Sequence, residues 1–489
     1  MINRSLGILL PVSSLPSKYG IGTFGKAAYN FIDFLISSGQ KYWQVLPLGP
    51  VSFGDSPYST FSVYAGNPYY IDLEMLIEDG LINGDDCELL GSDGNYVDYE
   101  KQFNHRYKVL FKAYKSSINK YYKEIERFKA ENNWVNDYSL FMALKYKNNQ
   151  QPWNKWDAHI KNRDAEIIKA EEKILLQEIN FWVFLQYLFY EQFFKLKEYA
   201  NLKGISIIGD MPVYVAEDSV EAWIKRDLFV TDEAGSFTIV AGVPPDYFSS
   251  EGQLWGNPVY DWGYLKENSY EWWIDRIKWS LKLYDVVRID HFRGFDEYWA
   301  VPCGSENAIR GKWLPAYGRE LFTEALKEIG SLRIIAEDLG TITDNVIKLK
   351  EEFNFPGMRV LQFAFDGNPD NPHLPLNYAE NTVAYTGTHD NDTLKGWYNK
   401  SGKQKQQNIL KELNIDTKNK GEIIDKLIQN VINSKADIVI IPLQDYLHLD
   451  SEARMNTPST VGGNWIWRVK ESQLTKQLSK KIKCLKDGQ

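Results

Sequence analysis

Eight short apolar runs punctuate this chain, and most of them are solid rather than alternating. They lie at Leu6–Leu10, Tyr42–Leu46, Ile205–Ile208, Val286–Ile289, Leu332–Ala336, Val360–Ala364, Thr382–Tyr385 and Asp437–Ile441. A strand with one wet face alternates apolar and polar residues; a strand covered on both faces has no need to. Helical spacing fills most of the gaps, at Gly25–Ile36, Glu271–Leu283, Gly318–Ile329, Asp344–Glu352 and Gly421–Val431. Crossover helices cover both faces of a parallel sheet. Eight such units predict an α/β chain folded as a (β/α)8 TIM barrel, with an open doubly wound sheet as the alternative. A barrel needs only about 250 residues, whereas this chain has 489. The surplus is expected as large, mostly helical insertions into a single barrel unit spanning 1–489. The largest, from about 71 to 200, falls between the second and third strands.

Composition narrows the class. Lys plus Arg is 56 against 65 for Asp plus Glu, a net charge of −9, which argues against a nucleic-acid partner. No run approaches the 18 to 20 apolar residues of a membrane span, so no membrane partner is expected. The three cysteines, Cys87, Cys303 and Cys484, are far apart and odd in number. That excludes a disulfide framework and suits a reducing compartment, so a soluble cytoplasmic protein is expected. The Lys-rich tail after Trp467 reads as a solvated end, and Lys108–Lys147 and Ala165–Ala200 read as charged helical surfaces. Aromatic residues reach 14%. Two readings fit that figure: a ring-rich core, or a groove lined with rings that match the apolar CH face of a sugar.

Acids recur directly after the apolar runs. Ile205–Ile208 leads into Gly209-Asp210-Met211-Pro212, and Val286–Ile289 into Asp290-His291-Phe292-Arg293-Gly294. Leu332–Ala336 leads into Glu337-Asp338-Leu339-Gly340, and Thr382–Tyr385 into Thr386-Gly387-Thr388-His389-Asp390-Asn391-Asp392. In a barrel these positions share the end where active sites are built. Convergent carboxylates serve either a divalent metal with oxygen ligands or glycoside chemistry. Arg288 favours the second, because it shares a strand face with Asp290 and keeps that carboxylate ionised, as a nucleophile requires. Glu337, after a hydrophobic run, is the matching candidate for a proton donor. Blander roles exist for each: a structural Arg288–Asp290 ion pair, a Glu337 cap on a helix near Thr341, a His389 satisfied under the rim. The pattern does not choose the attacking group among Asp290, Asp390 and Asp392, nor between Glu337 and Asp338.

These stretches closely resemble the 4-alpha-glucanotransferases called amylomaltase or disproportionating enzyme, relatives of the alpha-amylase superfamily. The matching runs are Arg288–Gly294, Ile335–Gly340 and Tyr385–Thr393, with Gly54–Tyr58, Gly209–Val215 and Gly242–Phe248 continuing through Gly252–Pro258. The resemblance spans Gly7 to about Trp467. It implies a barrel enzyme acting on maltooligosaccharides and longer α-1,4-glucans with no metal and no cofactor; the sequence does not set the oligomeric state, and a monomer is the favoured expectation. It also implies Asp290 as nucleophile, Glu337 as acid/base and Asp390 as a third carboxylate on the reacting ring. Tyr58, Asp210, Arg288, His291 and His389 are implied around that ring. Tyr247 and Phe248 are implied on a loop covering the cleft, within an insertion from about 216 to 270. Retention by double displacement requires the two working carboxyl groups about 5 to 5.5 Å apart. An α-1,4-glucan hydrolase of amylase type shares the same three carboxylates and is the alternative; a noncatalytic glycan-binding module explains the rings but not the acids. One departure is Phe53, where the family commonly has a tyrosine of a secondary glucan patch.

Overall fold

The computed structural model describes residues 4–52, 54–91, 94–117, 120–245 and 249–487. Phe53, Tyr247 and Phe248 lie outside the described residues. In chain order the strands are β1 (Ser5–Leu9), β2 (Tyr42–Gln44), β3 (Ser206–Met211), β4 (Ile239–Val243), β5 (Gln253–Pro258) and β6 (Val286–Ile289). They continue with β7 (Glu297–Pro302), β8 (Lys312–Pro315), β9 (Ile334–Ala336), β10 (Gly357–Val360), β11 (Thr382–Tyr385) and β12 (Ile438–Pro442). Eight of them, β1, β2, β3, β6, β9, β10, β11 and β12, close into a barrel in that order, every pair parallel. The remaining four form a separate antiparallel sheet in the order β5-β4-β7-β8.

The solid apolar runs follow from burial on both faces. All five residues of β12 and all four of β11 are buried. One apolar cluster fills the barrel interior, with Leu9, Ile208, Ile335, Met358, Val383 and Ile440 among its members. A much larger one lies outside the strands, where Val287 and Ile289 of β6 meet the helices. Strand period two therefore turns Arg288 inward between them, and the next inward position is Asp290. The same period places Asp210 after Ile208 and Glu337 after Ile335. Gly209 faces outward, and a Cβ there would stand 2.1 Å from the Tyr284 ring.

Three expectations need correction. The sixth strand is Gly357–Val360, not Val360–Ala364, and Leu361–Phe363 is a 3-10 turn. Gly357 opens this strand where only glycine fits: a Cβ would meet Asp338 Oδ2 at 2.4 Å and Lys350 Nζ at 2.5 Å. The chain after Trp467 is not a solvated end. Its last helix, Lys476–Asp487, buries Ser479 and Ile482 and packs against helices Lys26–Ser37 and Lys420–Ile432, so it closes the outer ring.

Between β2 and β3 run the helices Tyr107–Ser117, Tyr122–Glu131, Trp134–Lys147, Ala165–Ile174 and Leu176–Leu202. The last of these is far from a charged surface element. It buries Phe181, Trp182, Phe184, Phe189, Tyr190 and Phe193, and the Gln186 amide bonds both the N–H (2.7 Å) and the carbonyl (2.9 Å) of Gly66. Phe24 meets Phe189 edge-on with centroids 5.1 Å apart. Much of the aromatic content thus goes into core packing. Among the described residues no helix is long and apolar enough to cross a membrane.

Candidate active site

The site grows from the ends of β3, β6, β9 and β11. In the parallel register Asp210 pairs with Arg288 and Ile289 pairs with Ala336. Asp290 and Glu337 therefore leave adjoining strands at the same level, and Glu337 N–H donates to the Ile289 carbonyl at 3.1 Å. Arg288, 3% exposed, donates through Nη1 to both oxygens of Asp210 at 2.8 Å and through Nη2 to Asp290 Oδ1 at 2.9 Å. Burial works against the guanidinium charge, but Asp210 and Asp290 more than offset it and raise its pKa further. Asp290 keeps 32% of its side chain exposed and borders an open cleft of about 520 Å³.

Glu337 is a different kind of carboxyl. Its Oε2 accepts from the His291 N–H at 2.8 Å and its Oε1 from the Leu339 N–H at 2.9 Å. Burial, reinforced by the negative charge of Asp290 and opposed by Arg288, pushes it up to about 7. His291 adopts a left-handed backbone, φ 52°, which is strained for a side-chain-bearing residue and aims its N–H at Glu337. Its imidazole is pushed down to about 4 by burial, so it is neutral at pH 7, and it meets Trp255 edge-on at 4.8 Å.

The opposite wall is built on Tyr58. Its hydroxyl donates to Asp210 Oδ2 at 2.7 Å and lies 3.4 Å from His389 Nδ1, and the two rings stack with centroids 5.0 Å apart. Burial and Asp210 push the phenol well above its usual range, so the O–H stays a donor. His389 Nε2 lies 3.4 Å from Asp390 Oδ2. Asp390 is 47% exposed at its side chain and borders the cleft with Asp290, Tyr58 and His389. Four stretches of chain are thereby linked without a break: Tyr58 to Asp210, Arg288 and Asp290 on one side, and Tyr58 to His389 and Asp390 on the other.

The neighbouring acids are turned elsewhere. Asp338 is buried and accepts from Met358 N–H at 2.6 Å, Lys350 Nζ at 2.7 Å and Arg359 Nη1 at 3.2 Å. Asp392 accepts from Lys400 Nζ at 2.7 Å, Ser451 Oγ at 2.8 Å and Thr393 N–H at 2.9 Å. Both are structural, and only Glu337 and Asp390 of each pair face the site. Glu337 is no helix cap either: Thr343 caps the helix Asp344–Glu352. Among the described residues no group of three or more His, Cys, Asp or Glu side chains is arranged to hold a metal ion.

Four further residues join the site. Trp465 lies 5.8 Å from both the Tyr58 and His389 rings, and Trp255 borders the cleft from β5. Asn456 Nδ2 donates to Asp390 Oδ1 at 2.7 Å, and Arg454 Nη2 to the Asp390 carbonyl at 2.6 Å. Trp255 sits inside a motif already singled out, Gly252–Pro258. The others follow the last barrel strand in a stretch with no periodicity, so nothing local marks them.

Residues 10–475 match the family Glyco_hydro_77, described as 4-alpha-glucanotransferase. The chain belongs to the 4-alpha-glucanotransferases. It is a glycosyltransferase acting on α-1,4-glucans. The 4-alpha-glucanotransferase of Clostridium butyricum is 49% identical over 475 residues, covering 96% of this chain and 97% of that one. The 4-alpha-glucanotransferase of Thermus thermophilus is 42% identical over 495 residues, covering 99% and 98%. Among solved structures, amylomaltase from Streptococcus agalactiae in complex with acarbose superposes with a TM-score of 0.96 at 41% identity, over 99% of this chain and 98% of that chain. The fit extends through the helical insertion and the second sheet, so the whole architecture of this 4-alpha-glucanotransferase is that of its relatives.

Proposed function

We propose that this 4-alpha-glucanotransferase works by double displacement, with Asp290 as nucleophile, Glu337 as acid and then base, and Asp390 on the hydroxyls of the reacting ring. One observation carries the reading: two carboxyl groups in unlike settings at the ends of adjoining strands. Asp290 is bonded to Arg288, whereas burial pushes Glu337 up to about 7. In the first step Asp290 attacks the anomeric carbon, the glycosidic C–O bond breaks, and the proton of Glu337 goes to the departing glucan. A glycosyl ester on Asp290 results. In the second step the 4-hydroxyl of an acceptor gives its proton to Glu337, its oxygen bonds to the anomeric carbon, and Asp290 leaves. Two inversions restore the α-1,4 link.

Tyr58, Asp210, Arg288, His291 and His389 surround the reacting ring in this reading, and the acarbose complex of the Streptococcus agalactiae relative supports a ligand of the same class here. Transfer needs an acceptor sugar oriented well enough to outcompete water. The segment from 216 to 270 is assigned the cover of the cleft, with Tyr247 and Phe248 on it; Gln253–Trp255, which border the cleft, support that. Three free cysteines support a cytoplasmic setting, and the chain is taken to work as a monomer.

A product time course on maltotriose tests the whole. Glucose and longer chains are expected with total reducing ends nearly constant, and the Tyr247→Ala, Phe248→Ala double variant is expected to raise them by diverting the intermediate to water. Asp290→Asn is expected to abolish turnover while sparing maltooligosaccharide binding. Turnover retained in that variant would reject Asp290 as the nucleophile.

A further inference from the structure

The loop from Thr386 to Thr393 joins β11 to the helix Leu394–Lys400 and carries His389 and Asp390. Its turn is shaped from within, where Asn391 Oδ1 accepts from the Thr388 N–H at 2.9 Å and the Thr388 hydroxyl at 3.0 Å. Those bonds set the form of the loop but not its place over β6 and β9. Its crown is held from beyond β12 by Arg454 and Asn456. Its two ends meet one buried carboxylate. Asp445 lies on the short helix Leu443–Tyr446 directly after β12 and is 1% exposed. Its Oδ2 accepts from the Thr386 hydroxyl at 2.5 Å, and its Oδ1 accepts from the Leu394 N–H at 2.7 Å.

We infer that Asp445 is a positioning residue for the reaction: it fastens the first residue of the loop, and the first residue after it, to the neighbouring strand unit, and so sets where His389 and Asp390 stand over the sugar. The inference rests on the roles proposed above for those two residues; Asp445 itself touches no substrate. Loss of one tether loosens one end of the loop, and loss of both loosens the two ends together, with Gln362 on the Asp392 carbonyl and Ser451 on its carboxylate still in place. A displacement of about 1 Å at reacting groups costs on the order of 100-fold in rate.

The clamp works in either charge state. Burial, with Asp392 adding to it, pushes the Asp445 carboxyl up to about 6, while the Leu394 N–H, the Thr386 hydroxyl and His448 hold it down. Asp392 is itself taken by Lys400 and Ser451, and His448 lies 2.8 Å from Asp425 and 3.0 Å from Lys481. Ionised, Asp445 accepts both bonds. Neutral, it keeps the Leu394 N–H on its bare oxygen and gives its own proton to the Thr386 oxygen. An amide makes the same two bonds, and an alkyl side chain makes neither.

The test compares Asp445→Ala, Asp445→Asn, Thr386→Val and Asp390→Asn on maltotriose, well below each variant's Tm. Asp445→Ala is expected to cut kcat about 10- to 100-fold with KM within about threefold, and Asp445→Asn to restore kcat to within about threefold of the parent. Thr386→Val severs one tether and is expected to lower kcat about threefold or more; it keeps the test open if Asp445→Ala does not fold. Parental kcat in both Asp445→Ala and Thr386→Val beside an inactive Asp390→Asn would overturn the positioning role alone. So would an Asp445→Asn as damaged as Asp445→Ala. Full turnover in Asp390→Asn would overturn the assignment of Asp390, and this inference with it.

Discussion

Arg288 sets the electrostatics of the site because it is buried and bonded to two carboxylates at once. Removing either acid would leave a partly uncompensated buried charge, which is costly. The same guanidinium opposes the rise of the Glu337 pKa, yet burial wins and that carboxyl reaches about 7. A pH dependence follows with a definite sign. In the proposed mechanism Glu337 carries the proton that releases the first glucan, so kcat/KM on maltotriose is expected to fall about tenfold per pH unit above roughly pH 7. Glu337→Gln is expected to lose turnover of maltotriose yet still form the glycosyl ester from an α-glucosyl fluoride, whose leaving group needs no proton. A basic limb lying above pH 9, or maltotriose turnover surviving in Glu337→Gln, would remove Glu337 from the acid role. The adjacent Asp338 shows how narrowly such roles are assigned. One residue along the chain, it points outward into Lys350 and Arg359 and holds β10 against β9.

At the scale of elements, the final helix argues that charge-rich sequence is a poor guide to exposure. Lys476–Asp487 shows one apolar stripe among many lysines, and that stripe is enough to dock it on helices Lys26–Ser37 and Lys420–Ile432. Long lysine stems cover apolar surface while their heads stay in water. Ile482, fully buried, is its anchor. Ile482→Ala is expected to cost about 2 to 4 kcal/mol of stability, read as a lower Tm, with kcat unchanged at low temperature. An unchanged Tm would show that this helix contributes nothing to the closed ring. The second sheet was hidden for a different reason. It consists of two consecutive antiparallel pairs, β4–β5 before β6 and β7–β8 after it, and the pairing that joins them, β4 with β7, reaches across a barrel strand, so no local run announces the sheet. Yet β5 brings Trp255 to the cleft.

Across the whole molecule, the site is placed at some cost to stability. Asp445 is raised from an ordinary 3.8 to about 6, mainly by burial. A carboxyl raised on folding contributes stability below its unfolded pKa and loses it as pH climbs through the folded value. The parent is therefore expected to be less stable than Asp445→Asn above about pH 6, by on the order of 3 kcal/mol, and equal to it below about pH 4. Tm measured for both proteins from pH 4 to pH 8 checks this; a gap that does not change with pH would contradict the shift. The same balance separates what was legible in the chain from what was not. Seven of the eight barrel strands, the helices Glu271–Leu283, Gly318–Ile329 and Asp344–Glu352, and the acids at four strand ends were readable, because double-sided burial and strand period leave their mark within a few residues; the sixth, Gly357–Val360, was placed three residues late. Which of two neighbouring acids turns to the site was not legible in the local pattern, and only the family resemblance implied it. Glu337 rather than Asp338, and Asp390 rather than Asp392, depend on partners such as Lys350, Met358, Ser451 and Asn456, up to 66 residues away in the chain. Local sequence sets what a backbone segment buries. The direction and charge of a carboxyl at its end are set by whatever the closed barrel brings beside it, and that exists only once the chain has folded.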